Sequence, residues 1–440
     1  MAGSNYRRPG YPSFDGPQRY NVASRETCAD SAHRGTDRHA PASGCGRADG
    51  QGTHPWWPAV TASGAPGVPW RLPILAIGGL ALVAGLYSAL LLLGFALPVP
   101  RPALADVHGP VMVLGFVGTL IALERAVAMG SRWALGAPAC AGLGGLLLVA
   151  TGPTLAGKVL LATGGVLLLA IYRGLWHRQP GVALLAQTAG AFAWYAATLL
   201  WLAGFPIPDL VPWLATFLVA TIAGERLELA HVALAGPRPV RWFLAALAAL
   251  LAGATAGTLW PAAGAHLFGG GLLAVVAWLA VHDVARRTIR ASGLPCYIAC
   301  GLLAGYAWLA LAGLLWAGAG ATTAGARYDA TLHAVFLGFT MSMIFVHAPV
   351  ILPAVLRRPL PYRPVLYVPL AVLHGSLLVR VGFGDGAGLE PVRRWAGAGN
   401  VVAVLGFVIC AVALVSRRPA ATPRGVTAPT GATKLPTVSR

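Results

Sequence analysis

Long apolar runs recur along this 440-residue chain and constrain its fold more than any other feature. Each run covers roughly 18 to 28 residues, which is enough for a helix to cross a hydrocarbon core of about 30 Å. The sequence therefore predicts an all-α integral membrane protein with twelve transmembrane helices. The predicted spans are 71–97, 106–129, 133–151, 155–174, 182–203, 210–234, 242–260, 263–284, 295–319, 329–356, 364–383 and 395–415.

The composition excludes a soluble globular domain and a chain that is disordered throughout. Hydrophobic residues make up 57% of the sequence and charged residues 10%, whereas soluble domains carry about 25% charged residues. Residues 1–69 and 417–440 differ from the rest because they are polar and lack apolar periodicity. We predict that both are disordered tails flanking a transmembrane domain at 70–416. The first tail has no apolar segment of the kind found in signal peptides.

The arginines between the predicted helices fall on alternating sides, which predicts the orientation of the chain. Positive charge is enriched in cytoplasmic loops, so we expect both termini in the cytoplasm and a multi-pass protein of the cell's inner (plasma) membrane. The net charge of +18 then reflects contact with a lipid bilayer and not with nucleic acid. Predicted internal connections carry Arg132, Arg173, Arg178, Arg238, Arg241, Arg286, Arg287, Arg290, Arg357, Arg358 and Arg363, and external ones carry Arg101, Arg327, Arg393 and Arg394.

Short sequence matches relate helices two, six and ten. Ile-Ala-Leu-Glu-Arg at 121–125 in helix two resembles Ile-Ala-Gly-Glu-Arg at 222–226 in helix six. Leu-Gly-Phe occurs at 114–116 in helix two and at 337–339 in helix ten. Because these helices are four apart, the matches favour three repeats of four helices.

Two histidines open inward-running helices at the predicted outer face. His108 begins helix two and His333 begins helix ten, in equivalent places of the predicted repeat. Ionisable groups in membrane spans are rare and are functional candidates by default. Two neutral imidazoles on facing helices are suited to axial ligation of a haem or to binding a metal. The alternative is a pair of hydrogen-bonded histidines that bind nothing.

A stripe of small residues lies below His108 on the same face of helix two. Small residues allow either close helix packing or contact with a flat ring system, and the spacing does not separate the two. We include Met112 in the candidate cofactor site, and His266 and His374 as further candidate metal ligands. The stripe comprises Met112, Gly115, Thr119 and Ala122.

A second set of ionisable residues is predicted toward the inner face. It can conduct protons, bind a cation, or lock three helices together as structural ion pairs. Its members are Glu124, Arg125, Glu225, Arg226, Glu228, His231 and His347.

The remaining motifs carry little chemistry. Cys296 and Cys300 share a helix face, and two thiols without further ligands favour packing over a metal site. There is no phosphate-binding glycine loop, dinucleotide fingerprint, HExxH or paired CxxC motif.

At the two histidine helices the chain resembles known membrane proteins. The stretch 106–112, Asp-Val-His-Gly-Pro-Val-Met, resembles the His-Gly-x-x-Met opening of helix two in haem–copper oxidase subunit I. The stretch from His333 to Gly338 resembles the late His-Ala-x-x-x-Gly helix of the NnrS family. The resemblance implies haem, copper, an electron-transfer partner and a role in nitric oxide metabolism, with His108 and His333 as ligands.

The chain also departs from the oxidase pattern. Helix six lacks an outer histidine and helix seven has none, so the oxidase's haem–copper catalytic centre cannot be assembled in that way. Our leading hypothesis is thus a haem- or metal-binding membrane protein in membrane redox chemistry or nitric oxide response. A twelve-helix secondary transporter and a cofactor-free scaffold or assembly factor are the alternatives.

Overall fold

The computed structural model describes residues 71–98, 102–230, 234 and 236–416. The predicted tails at 1–69 and 417–440 lie outside the described residues, and so does His231.

The described residues are almost entirely helical and contain no strand, which confirms the all-α prediction. Twelve of these helices are long and apolar enough to cross a membrane, so the predicted number is correct. We describe the chain accordingly as a polytopic membrane protein. The spans are α1 (Arg71–Leu92), α2 (Ala103–Met129), α3 (Arg132–Thr151), α4 (Leu155–Arg178), α5 (Val182–Leu202), α6 (Ile207–Ala230), α7 (Arg238–Leu259), α8 (Pro261–His282), α9 (Leu294–Ala319), α10 (Gly325–Leu356), α11 (Pro364–Asp385) and α12 (Glu390–Ser416).

Most helix ends agree with the sequence prediction, and α1 shows why some do not. The apolar run continues to residue 97, but α1 ends at Leu92 because Gly94 adopts a left-handed conformation with φ +77°. The N–H of Phe95 then donates to the carbonyl of Leu90 at 3.1 Å, which closes the last turn.

Helices α2, α6 and α10 are the most buried of the twelve. In their most apolar stretches 61%, 78% and 61% of the residues are buried, against at most 56% in any other helix. These are the helices related by the sequence matches. The interior position of every fourth helix agrees with the predicted repeat of four.

Two of these central helices contain a π-helical stretch at matching positions. Residues Val111–Gly118 of α2 and Ala334–Met341 of α10 are both π-helical. The stretches are displaced along the chain by the same number of residues as the two Leu-Gly-Phe segments. In this alignment His108 matches Thr331, and His333 matches Pro110. The prediction that the two histidines occupy equivalent places in the repeat is therefore wrong. In this alignment they lie two residues apart.

Candidate functional site

His108 is fixed by a hydrogen bond to a neighbouring helix. It lies in α2, just before the π-helical stretch, and its Nδ1 donates to the main-chain carbonyl of Gly85 in α1 at 3.0 Å. A carbonyl can only accept, so the proton is on Nδ1. In the neutral imidazole Nε2 then carries a lone pair.

His333 has the same kind of anchor within its own helix. Its Nδ1 donates to the main-chain carbonyl of Asp329 at 2.7 Å, and the Asp329 carboxylate lies 3.3 Å from the same nitrogen. That carboxylate also accepts bonds of 2.8 to 3.1 Å from the buried guanidinium of Arg380 in α11. Nε2 of His333 again carries the lone pair.

The structure brings these two predicted residues together. His108 and His333 lie close enough to interact electrostatically, and both also interact with Asp329 and Arg380. A π-helical stretch follows each histidine within one turn, and such stretches are frequent at functional sites. Two imidazoles with Nε2 lone pairs would supply two nitrogen donors to a bound haem or metal.

The stripe below His108 serves close helix packing. A β-carbon on Gly115 would lie 3.0 Å from the α-carbon of Gly145 in α3, and one on Gly78 would lie 3.2 Å from the Thr119 methyl. Met112 fills the space over Gly85, where a β-carbon would meet its sulfur at 2.3 Å. The stripe therefore gives no flat surface for a ring, and the donor atoms available to a haem or metal are those of the two imidazoles.

The two further candidate ligands are not joined to this pair. His374 of α11 accepts a bond from the Trp308 indole N–H at Nδ1 (3.0 Å), so its Nε2–H donates to the Ser342 hydroxyl (3.3 Å). Both nitrogens are thus engaged. His266 of α8 is exposed and donates from Nδ1 to the Ala317 carbonyl at 2.7 Å. Across the described residues no group of three or more His, Cys, Asp or Glu side chains can hold a metal ion.

The predicted inner network divides into two clusters, of which the first surrounds Arg125 of α2. Its guanidinium lies 2.5 Å from Glu124 and 3.3 Å from Glu225 of α6, and it donates to Gln187 of α5 at 3.2 Å. The hydroxyl of Tyr172 in α4 is fully buried nearby and has no hydrogen-bond partner. Hydrogen bonds and ion pairs of the cluster thus join α2, α5 and α6, and Tyr172 of α4 lies beside them.

The second cluster surrounds Arg226 of α6. Its guanidinium binds both carboxylate oxygens of Asp283, at 2.7 and 3.1 Å, and donates to Nε2 of His347 in α10 at 3.2 Å. The hydroxyl of Tyr306 in α9 donates to Asp283 at 2.8 Å. This saturated cluster agrees with the structural ion-pair interpretation. Glu228, also predicted to belong to the network, is exposed.

Sequence reasoning missed Asp283 and Tyr306. Asp283 lies within the predicted span 263–284, but in the structure it follows α8, in a connection whose other charges are arginines. The signal that could have identified Asp283 is its position as the single acidic residue in a connection that otherwise carries arginines. Tyr306 gave no signal, because a tyrosine in an apolar helix is usually a packing residue.

A pocket beside the two histidines was also missed. It has a volume of about 400 Å³ and adjoins the His333 anchor. Asp385 directly follows the lining residue Gly384 and interacts electrostatically with Asp329, Arg380 and Arg393. Both carboxylate oxygens of Asp385 are buried without a hydrogen-bond partner. The pocket is lined by Gly325, Ala326, Tyr328, Asp329, Gly384, Gly388, Glu390 and Arg393.

The fold and site together define a twelve-helix integral membrane protein with paired imidazoles at one end of its central helices and ion-pair clusters at the other. Residues 71–416, which include all twelve helices, match the model of a family described as a domain of unknown function, DUF8744, and the chain belongs to this family. No curated protein and no solved structure matches the chain.

Proposed function

We propose that this chain is a haem- or metal-binding protein of the plasma membrane that acts in membrane redox chemistry or nitric oxide response. His108 and His333 are the protein ligands. The observation that carries the proposal is their shared anchoring: each donates its Nδ1 proton to a main-chain carbonyl, which leaves Nε2 as the donor atom. Metal-bound histidines are usually oriented by such a bond from the other ring nitrogen.

The two ligands differ in basicity. His108 is held by a carbonyl alone, whereas His333 also faces the Asp329 carboxylate. A carboxylate beside the N–H of a ligating imidazole strengthens the donor nitrogen. Arg380 holds that carboxylate in place. A bound haem or copper ion supplies redox and small-ligand chemistry, while the protein orients two unequal nitrogen donors.

The test is an optical and elemental analysis of the protein purified in detergent. We expect a Soret band or bound copper, and loss of the low-spin haem signal or of the copper in His108→Ala and His333→Ala. His266→Ala is the matched control, because His266 has the same Nδ1 anchor but is exposed and lies apart. A chain with neither haem nor copper contradicts the proposal. Equal effects of all three substitutions contradict the ligand assignment.

The orientation proposal places both termini in the cytoplasm, with the histidine pair near the opposite face. The distribution of loop arginines supports it. An electron-transfer partner would then approach the site from the outer side. Reporter fusions at the C-terminus and in the connection between α9 and α10 test this. They should report opposite sides, with the C-terminus inside.

The pocket beside the two histidines favours proton-coupled secondary transport as a second candidate function. Asp385 is a buried carboxylate without a hydrogen-bond partner beside a cavity of about 400 Å³, and buried acids in membrane spans mark ion pathways. Proteoliposomes under a pH gradient should then show a proton flux that Asp385→Asn abolishes. The absence of protein-dependent flux would remove this candidate.

A further inference from the structure

Two thiols lie together near the start of α9. Cys296 and Cys300 are four residues apart in a continuous helix, and their side chains interact with each other. The hydroxyl of Tyr367 in α11 interacts with both thiols. The ring of Tyr367 packs edge-on against Tyr297, with centroids 5.1 Å apart, which fixes it beside α9. Both cysteines are reduced and half-buried.

We propose that Cys296 and Cys300 bind one soft monovalent metal ion, Cu(I), between their sulfurs. This site is separate from the histidine pair and does not depend on it. Soft thiolates select Cu(I) over the hard cations that prefer oxygen ligands. The sequence favours packing for these thiols, and the observation that leads us to propose a metal is the Tyr367 hydroxyl, which interacts with both of them.

The helix geometry favours a bridging metal over a disulfide. Residues four apart on a helix have β-carbons about 5–6 Å apart, whereas a disulfide needs about 3.5–4.5 Å between them. A zinc–sulfur bond is about 2.3 Å long, and a two-coordinate Cu(I)–sulfur bond is somewhat shorter, so a linear sulfur–metal–sulfur unit spans at most about 4.6 Å. That unit fits between the two side chains without bending the helix.

The number of donors favours Cu(I) over zinc. Structural zinc is held by four ligands, and the part of the chain that the structure describes holds no group of three or more His, Cys, Asp and Glu side chains suited to a metal. Cu(I) is stable with two thiolates. The Tyr367 hydroxyl can donate to one bound sulfur, and such a bond to a charged acceptor strengthens the site.

Binding requires the loss of two thiol protons, which pass to the adjoining water. The thiol of Cys296 donates to the Ile289 carbonyl at 3.5 Å in the metal-free chain, and this long, weak bond is lost on metal binding. No oxidant or reductant is consumed, because copper enters and remains as Cu(I).

The test is metal protection of individual cysteines. The purified full-length chain is incubated anaerobically with one equivalent of Cu(I), alkylated, and analysed by peptide mass spectrometry. We expect Cys296 and Cys300 to be protected together, and Cys140 and Cys410 to react as they do without metal. In Cys300→Ser, protection of Cys296 should fall at least tenfold. Protection of neither cysteine, or only of cysteines elsewhere in the chain, overturns the proposal.

Copper counting and X-ray absorption provide a second readout that does not depend on alkylation. With Cys28 and Cys45 replaced by Ser, the chain should bind one more Cu(I) than the same chain also carrying Cys296→Ser and Cys300→Ser, through two sulfur ligands. Tyr367→Phe should keep the ion but bind it about tenfold more weakly. Equal copper content in the two chains overturns the site. The His108 and His333 spectrum should persist in both, so each proposal can fail separately.

Discussion

The main-chain carbonyl of Asp329 accepts the Nδ1 proton of His333 at 2.7 Å, and its own carboxylate lies 3.3 Å from the same nitrogen. One residue therefore orients the imidazole by its backbone and polarises it by its side chain. The same carboxylate binds Arg380 and so ties α10 to α11. Substitution of the Asp329 side chain therefore removes the ion pair with Arg380 but keeps the main-chain acceptor that orients His333.

Asp329→Asn should lower the free energy of unfolding by about 3 kcal/mol, because the nearly buried Arg380 loses its ion pair. His333 keeps its main-chain acceptor, so a haem or copper signal should persist. Thermal unfolding in detergent measures the first effect and optical spectra the second. Glu390→Gln is the control: the Glu390 side chain is 67% exposed, and solvent-exposed ion pairs contribute little to stability. Equal losses in the two variants would contradict this prediction.

Asp283→Asn should destabilise the protein more than any substitution of an exposed residue. The side chains of Arg226 and Asp283 are only 4% and 1% exposed, and removing one partner of a buried pair costs about 3–5 kcal/mol. Replacing both, with Arg226→Met and Asp283→Leu, should recover much of that loss. Unfolding of the single and double variants tests this. A double variant that is no more stable than Asp283→Asn would show that the cluster does more than lock helices.

His374→Ala should lower stability but leave any haem or copper signal intact. The substitution leaves the Trp308 indole N–H without its acceptor, and an unsatisfied buried donor costs about 1–3 kcal/mol. Thermal unfolding and the optical spectrum of the same sample measure both effects. Loss of bound metal in this variant would make His374 a ligand, against the hydrogen bonds seen at both its nitrogens.

Gly145→Ala should disturb the contact between α2 and α3. The added β-carbon would lie 2.7 Å from the α-carbon of Gly115, so the two backbones must separate. We expect a loss of about 2 kcal/mol in the free energy of unfolding. At Gly79, in α1, a β-carbon meets nothing within 4 Å, so Gly79→Ala should gain up to about 1 kcal/mol from helix propensity. Losses of similar size at both positions would contradict close packing.

The sequence was sufficient for the twelve helices because membrane spans depend on local composition. The length and hydropathy of an apolar run are properties of consecutive residues, so both can be determined from the sequence alone. The prediction that His108 and His333 lie at the same end of the helices followed from the same apolar runs. Their common anchoring by main-chain carbonyls did not, since the Gly85 partner belongs to another helix and only packing brings it near.

The clusters around Arg125 and Arg226 show the same limit of prediction from sequence. Arg125 and Glu225 were noticed because each belongs to a short repeated motif, whereas Asp283 and Tyr306 belong to none. Their roles depend on which helices adjoin α6, and hydropathy does not determine this. The π-helical stretches were also missed, since a π-helix in an apolar span has no distinct composition and is stabilised by its neighbours.

The π-helical stretch of α2 lies between His108 and Arg125 and sets the angle between them. An α-helix turns about 100° per residue, and a π-helix makes a wider turn. Deleting one residue between 111 and 118 would rotate the half of α2 that carries Arg125 relative to the half that carries His108 by about that angle. Arg125 would then face away from Glu225 while His108 kept its place. The number of residues in the π-helical stretch thus determines whether His108 and Arg125 can both contact their partners on neighbouring helices.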